Sequence, residues 1–120
     1  MSLLLNIDTA LDTASVCLSD DNEVLQLLLN ENQTDHAGWL HTAIATILQK
    51  TDKTINELEA VAISIGPGSY TGLRVGLASA KGICYALNIP LIAINTLKMI
   101  ALATRLDELN DYNIICPMID

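Results

Sequence analysis

The run Leu-Glu-Ala-Val-Ala-Ile-Ser-Ile-Gly at residues 58–66 constrains the fold more than any other stretch. It is apolar almost throughout and lacks the alternation of a strand with one face in water. That is the pattern of a central strand covered on both faces, and it places the chain among α/β proteins. It leads into a glycine loop and a long helix from about Thr71 to Leu87, ended by Asn88 and Pro90. The segment LIAIN (91–95) reads as another buried strand. Thr96 caps a helix expected to run to about Leu109, and YNIICPMI (112–119) reads as a final strand.

Upstream, three strands are expected at about 2–9, 13–19 and 23–31, joined by short polar turns at Asp12 and at Asp20-Asp21-Asn22. Short polar turns between apolar runs signal an antiparallel meander. TDHAGWLHTAIATILQK (34–50) reads as a helix capped by Thr34 or Asp35, with Ala37, Leu40, Ile44, Ile47 and Leu48 as its apolar stripe. The order βββαβαβαβ matches the RNase-H-like sheet in each lobe of actin-like ATPases and sugar kinases. The expected architecture is a mixed five-stranded α/β sheet with helices on both faces. Residues 1–120 are read as one lobe, with about 110–120 leading toward a second lobe.

Composition narrows the function classes. Fourteen acidic and six basic residues give a formal charge of −8. Nucleic-acid grooves need clustered Lys and Arg, and here Lys50, Lys53, Arg74, Lys81, Lys98 and Arg105 are scattered. Autonomous RNA binding is therefore disfavoured. Cys17, Cys84 and Cys116 sit singly in apolar runs, as buried reduced thiols of a cytosolic protein would. The N-terminus lacks a signal-peptide pattern, and no run approaches the roughly 18 apolar residues of a membrane span. A cytoplasmic protein without membrane contact is expected.

GPGSYTGLR invites a nucleotide reading, but Leu73 stands where a Walker loop needs Lys, and Thr71 where a dinucleotide fingerprint needs Gly. Actin-like kinases cradle phosphate in the first hairpin, typically with Asp-x-Gly. Asp8 and Thr9 are present, but Ala10 occupies the glycine position. Asp8 is either the remnant of such a site or a carboxylate bonded to the hairpin's own amides. A nuclease would need further carboxylates, and the central strand ends in Gly66-Pro67 with no acid. His36 and His41 lie about 140° apart on a helix, whereas zinc helices pair His residues four apart. Ser69, Tyr70 and Thr71 have no base nearby in the sequence. No catalytic residue, metal or cofactor is expected.

The long helix carries more glycine than a phosphate loop needs, and each interior Gly costs about 1 kcal/mol relative to Ala. On a helical wheel Leu73, Leu77, Ala80, Cys84 and Leu87 form an apolar stripe, and Arg74, Ala78, Lys81 and Tyr85 the one stripe with charge. Most of the rest is small: Gly72, Val75, Gly76, Ser79, Gly82 and Ala86. With Trp39, Thr42, Ala43 and Thr46 of the preceding helix these form a platform for close helix approach. Either a partner covers the platform or the remainder of a longer chain does. On the partner reading, Gly76→Leu or Ser79→Arg is expected to block pairing while leaving the lobe folded.

GPGSYTGLRVG (66–76) resembles the signature G-P-G-S-[FY]-T-G-[LI]-R-[IV]-G of the bacterial TsaB (YeaZ) family. IDTALDTASVCL, NIPLIAINTLKMIA and CPMID also match in register, while Ala37-Gly38-Trp39 stands where the family has Ser-Glu-Arg. The resemblance covers all 120 residues, and the family's chains are longer. It implies a non-catalytic scaffold for threonylcarbamoyladenosine (t6A) formation on tRNA. Such a scaffold binds the catalytic paralogue TsaD through the two helices, with the ATPase TsaE joining and tRNA contacted only indirectly. Homodimers use much the same surface. The implied interface is Trp39, Ala43, Thr46, Gly72, Val75, Gly76, Ser79 and Gly82. Asp8, Thr9, Gly66, Gly68 and Ser69 form a degenerate phosphate hairpin and loop. The alternative is an ATP-binding or metallopeptidase-like enzyme in the complete chain.

Overall fold

The computed structural model describes residues 3–10, 13–21, 23–31 and 36–95. Strands β1 (Leu3–Asp8), β2 (Ala14–Asp20) and β3 (Glu23–Asn30) come first, followed by helix α1 (His36–Lys50). Strand β4 (Ala60–Ser64), helix α2 (Tyr70–Leu87) and strand β5 (Leu91–Ile94) complete the described chain. The sheet order is β3-β2-β1-β4-β5. The β1–β2 and β2–β3 pairs are antiparallel, and β1–β4 and β4–β5 are parallel. The meander and the crossover units are thus as the sequence predicts. The helix expected at Thr96–Leu109 and the strand expected at 112–119 lie outside the described residues.

Alternation on β1 and β2 decides which face is the core. Leu3, Leu5 and Ile7, with Ala14, Val16 and Leu18, are buried, and the residues between them are half-buried. Register sets Leu5 beside Leu18 and Val61, and Ile7 beside Val16 and Ile63. Both described helices cover this face. From α1 come Leu40, Ala43, Ile44, Ile47 and Leu48, and from α2 Ala80 and Cys84, all in one aliphatic cluster. Helices on both faces are therefore not seen among the described residues. All five residues of β4 are buried, as expected of a central strand.

Strand β5 departs from expectation. Leu91 and Ile94 are half-buried and Ile92 and Ala93 exposed, because β5 is the last strand of the described sheet and has β4 alone beside it. Ala37, expected in the α1 stripe, is exposed on the first turn of that helix. Leu73, Leu77 and Leu87 flank the buried line of α2 and are half-buried. A 3₁₀ turn at Ile55–Glu57 was not anticipated, although its signal is in the sequence. In Thr54-x-x-Glu57 the Glu57 carboxylate accepts from the Thr54 amide at 2.7 Å, the reach-back of a capping box.

Candidate functional site

Strand β4 feeds α2 through four residues that decide how the helix is placed. Gly66 has φ +111°, a region L side chains rarely adopt, and it precedes a cis bond to Pro67. Ser69 caps α2: its Oγ accepts from the Gly72 amide at 3.2 Å, and its carbonyl accepts from the Leu73 amide at 2.8 Å. At the far end Asn88 adopts the left-handed conformation with φ 55°, and its amide bonds to the Cys84 carbonyl. Asn tolerates that conformation better than most side chains, so it stops the helix.

The first turns of α2 are locked to the end of the β1–β2 hairpin. Thr9 is fully buried, and its hydroxyl donates to the Gly72 carbonyl at 2.5 Å. The Ser69 amide donates to the Ala10 carbonyl at 2.7 Å. A Cβ on Gly68 would stand 2.8 Å from the Ala10 Cβ, and one on Gly72 would overlap the Thr9 carbonyl oxygen. On Gly76 it would overlap the Thr9 hydroxyl and stand 3.0 Å from Ile63 Cδ1. The helix can lie this close to the hairpin only because those three positions have no side chain.

This corrects the expected interface. The buried line of α2 is Gly72, Gly76, Ala80 and Cys84, spaced every four residues. Gly72 and Gly76 therefore face this chain's own hairpin, and no partner can reach them. Ala43 is 3% exposed and belongs to the core. Gly76→Leu would disrupt the lobe itself rather than block pairing selectively. Trp39, Thr46, Val75 and Ser79 are half-buried. Gly82 is exposed, with nothing within 4 Å of where its Cβ would lie. Trp39 and Val75 pack against the edge of the core, so of the expected interface Gly82 alone is fully exposed.

The predicted phosphate residues are drawn together where α2 meets the hairpin, and their side chains bond to backbone there. Asp8 Oδ1 accepts from the Ala10 amide at 3.0 Å, a bond within its own hairpin. The hydroxyls of Thr9 and Ser69 both engage backbone, and Gly66 is buried. On the face opposite the helices lies a cleft of about 180 Å³, lined by Asn6, Asp8, Ser15, Cys17, Ser64 and Ile94 among others. Asn6 Nδ2 donates to the Cys17 carbonyl and to Ser19 Oγ, both at 3.2 Å. Burial pushes the Cys17 thiol pKa up, so it stays protonated and weakly nucleophilic at neutral pH. Cys84 is shifted upward for the same reason. Among the described residues no three of His, Cys, Asp and Glu gather as a metal site. No helix among them is long and apolar enough to cross a membrane.

The outer surface of α2 holds residues that the predicted interface left out. Tyr70 and Tyr85 are 72% and 92% exposed, and Arg74, Ala78 and Lys81 are exposed between them. The Arg74 guanidinium lies 5.4 Å from the Tyr70 ring centroid, within cation–π range. In the sequence these residues are the one stripe of the helical wheel that carries charge.

Comparison with known proteins fits this geometry. Residues 30–120 match the family described as TsaD, tRNA N6-adenosine threonylcarbamoyltransferase. The chain is 33% identical to the tRNA threonylcarbamoyladenosine biosynthesis protein TsaB of Buchnera aphidicola over 102 residues, 84% of this chain and 46% of that one. It superposes on YeaZ from Pseudomonas aeruginosa with TM-score 0.82 at 28% identity, over 91% of this chain and 50% of that one. The chain belongs to the TsaD-related TsaB/YeaZ family. It spans just under half the length of the curated relatives it matches. RuvC from Thermus thermophilus shares the fold at TM-score 0.56 and 13% identity, over 88% of this chain and 77% of that one. The sheet is thus of the RNase-H-like, actin-like type. The TsaB/YeaZ signature is the same loop that locks α2 to the hairpin, so a family motif serves here as a packing device.

Proposed function

We propose that this chain is a lobe of a TsaB-type subunit that supports t6A modification of tRNA in the cytoplasm without catalysing it. It docks on a TsaD-like transferase through the α1–α2 layer, a TsaE-like ATPase joins the assembly, and tRNA is contacted only indirectly. Alone, the chain pairs with itself through the same layer. One observation carries the reading. The hairpin and loop that would hold phosphate in an active relative are engaged with each other, while α2 presents two exposed tyrosines. Tyr is enriched at protein interfaces and depleted in idle surface.

Reconstitution tests it. t6A synthesis by the TsaD-like and TsaE-like proteins of the same organism should require this chain and should survive Asp8→Asn in it. Nucleotide hydrolysis by the chain alone, abolished by Asp8→Asn, would establish the enzyme alternative instead.

A further inference from the structure

The two helices that face outward are free of acidic residues. Neither α1, HAGWLHTAIATILQK, nor α2, YTGLRVGLASAKGICYAL, contains Asp or Glu. All fourteen acids of a chain of charge −8 lie elsewhere. Lys50, Arg74 and Lys81 are exposed on these helices. Arg74 and Lys81 lie on the stripe opposite the buried Gly72-Gly76-Ala80-Cys84 line, interleaved with Tyr70 and Tyr85. The nearest acids along the chain are Asp35, directly ahead of α1, Asp52 beyond its end with Lys53 beside it, and Glu59 eleven residues ahead of α2, so none adjoins the Arg74–Lys81 stripe in sequence. Among the described residues, the outer stripe of α2 in this acidic chain is thus cationic and aromatic.

We propose that this face selects a partner protein whose docking surface is acidic, and binds it in preference to the second copy of the chain with which it pairs when alone. The inference rests on the reading under Proposed function and specifies the chemistry of that partner. Self-pairing through α2 brings Arg74 and Lys81 toward their own copies, so like charges face one another. An acidic partner relieves this and receives the two tyrosines as apolar anchors with a polar tip. Two cations on one stripe are too few for a nucleic-acid groove, which leaves protein carboxylates as the matching chemistry.

The two pairings consequently respond to salt in opposite ways. Complex formation with the TsaD-like protein and self-association of the chain are measured by sedimentation at about 50 mM and about 500 mM NaCl, on either side of the ~10 Å screening length at 0.1 M. The mixed complex should weaken about tenfold at high salt, and Arg74→Glu with Lys81→Glu should weaken it at least as much at low salt. Self-association should tighten with salt. Both substituted positions are exposed, so circular dichroism and the unfolding midpoint should stay unchanged. A mixed complex equally tight at both salts and in the double variant overturns the acidic-partner inference and leaves the proposed function standing. Absence of any mixed complex overturns the proposed function and this inference with it. A complex that forms only when tRNA is added, and is lost in the double variant, assigns the face to RNA phosphate and overturns the inference.

Discussion

Two glycines of the same helix should respond to the same substitution with opposite signs. Gly72→Ala and Gly82→Ala each gain about 1 kcal/mol of helix propensity, because Ala loses less backbone entropy on folding than Gly. At Gly82 that term stands alone, since nothing lies within 4 Å of the new Cβ. At Gly72 the Cβ overlaps the Thr9 carbonyl oxygen, which is backbone and cannot swing aside. Overpacking of this kind costs about 1–3 kcal/mol. Pushing the hairpin away also disrupts the buried bond from the Thr9 hydroxyl to the Gly72 carbonyl, at about 1–3 kcal/mol. Gly72→Ala should therefore destabilise by about 1–5 kcal/mol, and Gly82→Ala should stabilise by up to about 1 kcal/mol. Urea unfolding of the three proteins side by side reads the difference, in which the shared propensity term cancels. Equal shifts of the midpoint at both positions would refute the joint between α2 and the hairpin.

Further outcomes follow from the same contacts. Thr9→Val removes the hydroxyl from a fully buried site and should lower stability by about 1–2 kcal/mol in the same assay, whereas Thr9→Ser should recover most of it. The Glu57 carboxyl is held below its ordinary pKa, chiefly by the Thr54 amide it accepts from. A lowered folded-state pKa means the capping contribution is present above the ordinary carboxylate range and is lost as pH falls through the folded value. The Thr54 amide resonance should therefore report a titration below that range, and Glu57→Gln should abolish it.

The sheet was legible because its signals are local. Short polar turns marked the meander, the unbroken run before Gly66 marked the central strand, and Asn88 marked the helix stop. What the α2 glycines face was not legible. A wheel shows that Gly72 and Gly76 share a side, but not whether that side meets a partner or a hairpin 63 residues earlier in the chain. Close backbone approach was the correct physical reading, and the approaching backbone is the chain's own. Ala43 misled in the same way, since a small apolar residue suits a core and an interface equally. Strand β5 read as buried because composition reports apolarity and not the number of neighbouring strands. The outward stripe of Arg74, Lys81 and Tyr85 was visible as a pattern, and its weight emerged only once the opposite side proved buried.

Hydrogen–deuterium exchange on the chain, with and without the TsaD-like protein and with ATP as a separate addition, tests the central claim most directly. The account predicts new protection in α1 and α2 with the partner, and no change at residues 8–10 or 66–69 on adding ATP. Protection of the hairpin and loop by ATP without the partner would contradict it and restore a nucleotide site to this lobe.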